Sequence, residues 1–210
     1  ECEEWDIIEG AFRLLLNSAL EQPRRFVHRD YHSRNLMIVE GRNPGIIAFQ
    51  DAVLGPITYD LVSLLRDCYI AWPPERVQAW SNRHRDRLIE AGVLPFGELR
   101  WKRWFDWMGL QRHLKVLGIF CRLWYRDGKR GYLDDLPLVL KYTLDVAGRY
   151  KELAPFADWL RAKVGGRDVR QPNDAPVGAA SAATGAASSE AASQGAHPLP
   201  YPSPLKGEGK

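Results

Sequence analysis

Asp30 and Asn35 are the residues whose types and spacing most directly suggest chemistry. They lie five positions apart, in a loop at residues 28–35 between apolar runs at 26–27 and 36–39. Phosphoryl transfer from ATP needs a carboxylate beside the attacking hydroxyl group, and a neutral oxygen ligand that helps to hold magnesium on the phosphates. A short loop between two strands can present both groups on one side, so the pair suggests phosphoryl transfer to an alcohol.

A purely structural interpretation of this loop is also open. The pattern His-x-Asp is common, and asparagine often caps turns. The offset between Asp30 and Asn35, together with the hairpin predicted after them, favours the functional interpretation. A zinc site is not indicated, because the spacing of His28, His32 and His113 does not match known zinc-ligand patterns.

The elements around this loop are predicted to be mostly helical. A turn signal at residues 41–45 joins runs at 36–39 and 46–49, which predicts a small β-hairpin. Helices are predicted at 5–19, from 59 to the prolines at 73–74, and at about 75–91, 98–125, 133–150 and 153–164. In the first helix the predicted buried stripe is Trp5, Ile8, Phe12, Leu15 and Ala19. The predicted fold class is therefore α+β, mostly α.

Three segments resemble a known enzyme family. Residues 27–36, VHRDYHSRNL, resemble the catalytic loop shared by protein kinases and the aminoglycoside phosphotransferase and choline kinase families. Residues 49–61, FQDAVLGPITYDL, resemble the metal-binding segment and following helix of those phosphotransferases. These segments, with LLRDCY at 64–69 and GLQRHLKVLG at 109–118, are similar to bacterial kinases that phosphorylate the anomeric hydroxyl of N-acetylmuramate or N-acetylglucosamine in cell-wall recycling. The resemblance covers about residues 1–160 and implies the C-terminal lobe of a protein-kinase-like fold.

The resemblance implies roles for several residues. Asp30 would be the catalytic base, and Asn35 a magnesium ligand on the nucleotide side. Asp60 would be a structural brace whose carboxylate accepts hydrogen bonds from the backbone of the catalytic loop, although a helix N-cap is an alternative. The implied cofactors are ATP and magnesium, and the implied partner is a small-molecule sugar or amino-alcohol acceptor.

Two departures from the family weigh against activity of this chain alone. The family places a metal-binding aspartate directly after the hairpin, where this sequence has Ala48, and a methyl group cannot bind magnesium. Asp51 is the nearest carboxylate but is not expected to replace it. The chain also has no glycine-rich loop followed by a lysine-bearing strand, so the nucleotide-binding N-terminal lobe is missing, or is supplied by another chain.

His32, Asp51 and Trp107 are further candidates for the substrate side of the site. Trp107 lies off the helical stripe of Trp101 and Trp104, which are expected to pack in the core, so it is the better candidate for stacking on a sugar ring. The basic run at residues 83–87 could contact phosphates, but it contains its own acid and fits a solvated helix face.

Composition excludes several classes of function. The 210 residues are 45% hydrophobic and carry a net charge of only +3, which gives no electrostatic basis for binding nucleic acid. No segment is apolar enough to suggest a membrane span. Three scattered cysteines fit reduced thiols in a cytoplasmic protein.

The predicted organisation is a lobe at residues 1–165 and a disordered tail at 166–210, which is rich in Ala, Gly, Ser and Pro. The acidic start without a methionine suggests an internal cut in a longer protein. The leading hypothesis is an ATP-dependent sugar kinase, truncated and impaired at Ala48. The alternatives are a catalytically inactive, pseudokinase-like binding module and a degraded gene fragment.

Overall fold

The computed structural model describes residues 2–95 and 98–172, and it confirms a mostly helical α+β fold. The helices are α1 Cys2–Leu20, α2 Tyr59–Leu65, α3 Pro74–Glu90, α4 Glu98–Asp127, α5 Leu136–Ala147 and α6 Ala154–Val164. The strands are β1 Arg24–Val27, β2 Leu36–Met37, β3 Gly45–Ile46 and β4 Val53–Pro56. Short 3₁₀ turns at Ser33–Asn35, Arg130–Asp135 and Lys151–Leu153 join some of them.

The strands form two antiparallel pairs beside the loop at residues 28–35. β2 pairs with β3, which is the predicted hairpin, but each strand is two residues long rather than four. β1 pairs with β4 in a ladder that the sequence analysis did not predict, with Phe26 opposite Leu54 and Val27 opposite Val53. β4 was missed because its Gly55-Pro56 ending is typical of a turn. Between them the two ladders anchor both ends of the loop.

α4 forms the centre of the lobe and packs against α1, α2, α3 and α5. Trp101 and Trp104, each 1% exposed, lie in its core face as predicted. The indole nitrogen of Trp101 donates a 2.9 Å hydrogen bond to the hydroxyl of Ser81 on α3, which satisfies its polar group inside the apolar interior. A long helix with apolar side chains on several faces is therefore the element on which the others are positioned.

The predicted apolar stripe of α1 is only partly correct. Leu15 is buried and packs in the core as expected, but Trp5 and Phe12 are 68% and 51% exposed. The face of α1 that contacts the interior instead includes Ala11 and Leu15, with Ile7 packed against them. The helix carries a second apolar face, and periodicity alone could not show which of the two faces this lobe buries.

Asp106, fully buried on α4, ties the helices together beneath the loop. Its carboxylate pairs with Arg66 after α2, accepts a 2.8 Å hydrogen bond from Lys102, and accepts a 2.7 Å hydrogen bond from the hydroxyl of Tyr150. Burial alone would raise the pKa of Asp106, but Arg66 and these donors hold it below its ordinary value. This network fixes the end of α2 against the middle of α4.

The described chain continues past the predicted boundary at residue 165. Val169 packs against a cluster formed by α4, α5 and the turn before α5. The rest of the predicted disordered tail, residues 173–210, lies outside the described residues. Within the described part of the chain, no helix is both long enough and apolar enough to cross a bilayer.

Candidate active site

The loop between β1 and β2 brings Asp30 and Asn35 together. The side-chain amide nitrogen of Asn35 donates a 2.7 Å hydrogen bond to the backbone oxygen of Asp30. Asn35 is 1% exposed, whereas Asp30 is only partly buried and its carboxylate faces a cavity. Arg29 has a φ of 77°, in the left-handed region that costs a residue with a β-carbon about 1 kcal/mol or more. The chain therefore turns sharply just before Asp30.

Asp60, in the first turn of α2, holds the start of this loop. One of its carboxylate oxygens accepts a 2.6 Å hydrogen bond from the backbone nitrogen of His28, and the other accepts a 3.1 Å bond from that of Arg29. These are the contacts that the bracing role requires, and the role itself stays a prediction. The two bonds stabilise the left-handed turn at Arg29 from the side of α2.

Asp67 holds the other half of the loop, which the sequence analysis did not anticipate. It is 3% exposed, and one carboxylate oxygen accepts hydrogen bonds from the backbone nitrogen and the hydroxyl of Ser33, at 3.2 and 2.5 Å. Its other oxygen accepts a 3.2 Å bond from the backbone nitrogen of Tyr69. Asp67 lies two residues beyond the end of α2 and Asp60 lies in its first turn, so carboxylates at the two ends of this helix fix the two halves of one loop.

Arg112 of α4 contacts the loop from the opposite side. Its guanidinium donates a 3.3 Å hydrogen bond to the backbone oxygen of Arg29 and a 2.7 Å bond to the hydroxyl of Ser63. The same group lies 4.4 Å from the ring centre of Tyr59, a cation–π distance. The arginine thus places a positive charge beside the reactive loop while using only some of its five N–H donors.

A cavity of about 140 Å³ opens beside Asp30. His32 and Asp30 line its loop side, and residues of α4 line the other side, including Arg112, Lys115 and Val116. Neither Asn35 nor Ala48, the residues expected to hold nucleotide, belongs to its lining. An alcohol bound there would lie next to the Asp30 carboxylate.

The two histidines of this cavity are held in their neutral form by burial. Burial lowers the pKa of His113 to about 4, and burial also lowers the pKa of His32, against the raising effect of Asp67 and Asp30. The Nε2 atom of His113 lies 3.1 Å from the backbone oxygen of Arg66, so this nitrogen carries the proton and donates it. Near neutral pH the histidines therefore add no positive charge to the cavity.

The residues present fit a magnesium ion only in part. Asn35 Oδ1 is buried and has no hydrogen-bond partner in the described chain, which suits a neutral metal ligand. Position 48, however, offers only the methyl group of alanine. Among residues 2–95 and 98–172, no group of three or more histidine, cysteine or acidic side chains could hold a metal ion. We therefore derive no chemical step through a metal in this chain.

Ala48 has a φ of 64°, again in the left-handed region. Asparagine, aspartate and glycine are the residues that adopt this conformation most readily, and alanine is not one of them. The backbone at this position thus retains a shape that suits aspartate better than the alanine that occupies it. Asp51, the other candidate, is exposed, and its backbone oxygen lies 3.4 Å from the guanidinium of Arg29.

Trp107, the candidate for stacking on a sugar ring, is buried in the core of this lobe. Its side chain is 5% exposed and packs in the core cluster with Leu110, while Tyr150 meets its ring edge to face at 5.6 Å. Trp107 does lie off the stripe of Trp101 and Trp104, but the face it occupies is covered by other helices rather than by solvent. The structure places His32 in the site and Trp107 outside it.

Sequence reasoning missed Asp67, Arg112 and Lys115 as site residues. The segments that contain them resemble those of amino-sugar kinases, but that resemblance does not imply a role for any of the three side chains. Helical periodicity does not mark Asp67, because it lies two residues beyond the end of α2. No local signal marks Arg112 or Lys115, because they reach the loop only through the packing of α4.

Comparison with known proteins agrees with this geometry. A model of the phosphotransferase enzyme family matches residues 1–93. The chain is 50% identical over 156 residues to an N-acetylmuramate/N-acetylglucosamine kinase of Neisseria meningitidis, which covers 74% of this chain and 46% of that protein. It is 49% identical over 148 residues to the protein of that name from Pseudomonas aeruginosa, covering 70% of this chain and 44% of the relative. A third such relative, from Caulobacter vibrioides, is 36% identical over 64% of this chain and 37% of its own length.

The chain spans a little under half the length of the curated relatives it matches. The matched part contains the Asp30 loop, the brace at Asp60 and the helix that carries Arg112. The sequence resemblance to these phosphotransferases is thereby confirmed. Residues 1–93 of this lobe match the phosphotransferase enzyme family, and the lobe is similar to bacterial N-acetylmuramate/N-acetylglucosamine kinases.

Proposed function

We propose that this chain is the acceptor-binding lobe of an ATP-dependent kinase of acetamido sugars. The observation that carries the proposal is the loop in which Asn35 is bonded to the backbone of Asp30, while the Asp30 carboxylate faces a cavity. The names of the relatives support N-acetylmuramate or N-acetylglucosamine as the acceptor. ATP and magnesium are the cofactors implied by the family.

The chemistry that this lobe would perform is proton removal and positioning. The hydroxyl group of the sugar donates a hydrogen bond to Asp30 and transfers its proton to that carboxylate as its oxygen attacks the γ-phosphorus of ATP. A new P–O bond forms to the sugar while the bond from the γ-phosphorus to the β-phosphate oxygen breaks, so the products are a sugar phosphate and ADP. Arg112 places a positive charge near the developing negative charge.

Exposed apolar side chains beside the loop support the proposal that a second lobe covers this part of the surface. Ile38 and Phe49 follow the two strands of the hairpin and are 94% and 65% exposed, and Phe26 and Leu54 form an exposed cross-strand pair on the other ladder. Several large apolar side chains with this degree of exposure favour a site that another part of a protein covers. We propose that an N-terminal nucleotide-binding lobe, on this polypeptide or on another chain, covers it and completes the ATP site.

A binding module without chemistry is the second candidate, and Ala48 is the observation that favours it. The loss of one stabilising donor at a reaction centre costs about 3–4 kcal/mol in transition-state stabilisation, and the loss of a charged metal ligand should cost at least as much. With alanine at position 48, phosphoryl transfer should therefore be slower by a factor of about a hundred to a thousand or more. Sugar binding to the cavity does not involve this residue.

One set of proteins separates these candidates. The chain would be produced alone and fused to the N-terminal half of the Neisseria meningitidis relative, each with and without Ala48→Asp. ATP-dependent sugar phosphorylation would be followed by ADP release, and sugar binding by calorimetry.

Phosphorylation that appears in the fused Ala48→Asp protein supports the kinase. Sugar binding without phosphorylation in every form supports the binding module. A chain that binds neither sugar and shows no cooperative melting transition supports a degraded fragment and refutes both candidates.

A further inference from the structure

The cavity beside Asp30 carries more positive charge than phosphoryl transfer to a neutral sugar requires. Arg112 and Lys115 lie one turn apart on α4, and both line it. Arg34 does not line the cavity, but its guanidinium lies 3.5 Å from the ring centre of Tyr69, which does. In the described part of the chain, no carboxylate forms an ion pair with any of these three cations.

The acidic groups of the same cavity do not neutralise them. Asp67 directs its carboxylate to Ser33 and to the backbone nitrogen of Tyr69. Asp30 lines the cavity and, in the proposed function, its carboxylate is occupied by the acceptor hydroxyl. His32 and His113 are neutral, since burial lowers the pKa of each. The wall of the cavity formed by α4 thus presents Arg112 and Lys115 without a counter-ion.

Nucleotide phosphates are the obvious competing partner for these cations. The position of the cavity argues against them, because Asn35 and Ala48, the residues expected on the nucleotide side, do not line it. Arg112 is also partly committed to the loop through the backbone oxygen of Arg29. Lys115, by contrast, is exposed, and the structure gives its ammonium group no partner in the described chain. An anionic group on the acceptor itself is the partner that this placement fits.

We propose that Lys115, assisted by Arg112, binds a carboxylate of the acceptor sugar, so that the site prefers an acidic acetamido sugar to its neutral counterpart. This inference rests on the proposed function. The two sugars in question differ by one such group, since N-acetylmuramate carries a lactyl ether ending in a carboxylate where N-acetylglucosamine has a hydroxyl. Lys115 would be a specificity residue, with no part in the transfer step.

Binding of the two sugars to the full 210-residue chain tests this directly. Calorimetry or ligand-observed NMR would give Kd for N-acetylmuramate and for N-acetylglucosamine with the wild type, with Lys115→Met and with Lys151→Met. Lys151 is exposed in a turn before α6 and lines none of the cavity, so its variant is a matched control for the loss of one charge. Melting curves would confirm that each variant is folded.

A hydrogen bond to a charged group contributes enough that Lys115→Met should weaken binding of the acidic sugar about tenfold. Binding of the neutral sugar should change by less than about twofold, and Lys151→Met should leave both values unchanged. Raising the salt concentration should reduce the difference between the Kd values of the two sugars for the wild type. If Lys115→Met weakens the binding of both sugars equally, or of neither, the inference is wrong.

The fused kinase described above separates this inference from the function on which it rests. Phosphorylation of both sugars with no effect of Lys115→Met on their kcat/KM ratio would refute the carboxylate site and leave the kinase intact. If the Kd values of the two sugars change as expected but no form of the protein phosphorylates either sugar, the kinase proposal is refuted and the preference for the acidic sugar stands. If the wild type binds neither sugar in either form, both proposals are wrong.

Discussion

Replacement of Ala48 by aspartate should restore metal binding to this lobe. Two features of the structure predict this outcome. The left-handed backbone at position 48, with φ of 64°, suits aspartate, and Asn35 Oδ1 lies buried without a partner as a second oxygen ligand. The substitution therefore adds a carboxylate where the backbone already has a suitable conformation, and we expect no loss of stability from it.

The expected magnitude follows from the two parts of this change. Relief of left-handed strain at an alanine amounts to about 1 kcal/mol, and Ala48→Gly would give this part alone. The added ligand should raise kcat of the fused kinase by a factor of about a hundred to a thousand, which corresponds to 3–4 kcal/mol. Ala48→Gly is thus the matched control, because it relaxes the backbone without adding an oxygen.

The measurement should not depend on turnover alone. Binding of Mn²⁺ to the isolated chain, followed by its effect on water proton relaxation, should tighten at least tenfold in Ala48→Asp and should not change in Ala48→Gly. Adding Asn35→Ala to Ala48→Asp should reverse most of the gain. If Ala48→Asp and Ala48→Gly bind Mn²⁺ equally weakly, the idea that this position completes a metal site is refuted.

Three further predictions concern the loop and its supports. In the fused Ala48→Asp kinase, Asp30→Asn should lower kcat by a factor of about 10²–10⁴ without shifting the melting temperature, and activity that survives would exclude Asp30 as the base. Asp60→Ala should lower the free energy of unfolding by about 2–3 kcal/mol in urea titrations, because two backbone N–H groups lose their acceptor, whereas the exposed Asp51→Ala should change it by less than about 0.5 kcal/mol. His113 resists protonation when folded, with its pKa lowered from 6.5 to about 4, so its contribution to stability is complete above pH 6.5 and is lost as the pH falls toward 4. Between pH 7 and pH 4.5 this loss should be about 2–3 kcal/mol in the wild type and should largely disappear in His113→Gln; an equal loss in both would contradict the assignment.

The sequence predicted the helices well because their apolar residues recur at helical spacing, and α4 is the clearest case. It did not predict β4, whose Gly55-Pro56 ending is typical of a turn, although β4 pairs with β1 along its whole length. The sequence also placed Trp5 on the predicted apolar stripe and Trp107 on the substrate side, whereas Trp5 is exposed and Trp107 is buried. Each of these depends on which helix packs against which face, and one helix considered alone does not contain that information.

The sequence likewise identified some residues of the candidate site and not others. Asp30 and Asn35 were identifiable because their types and spacing lie within one loop. Asp67 and Arg112 were not, since they reach that loop from 34 and 83 residues away in the chain. Their roles follow from the packing of α2 and α4, and only the folded structure shows it.

The catalytic loop takes its shape from the helical body of the protein. Its backbone at His28 and Arg29 is held by Asp60, and at Ser33 by Asp67, while Arg112 fixes the carbonyl of Arg29. All of these supports lie on the described helices or just beyond the end of α2, so the shape of the loop and of the cavity beside it does not depend on contacts with a second lobe.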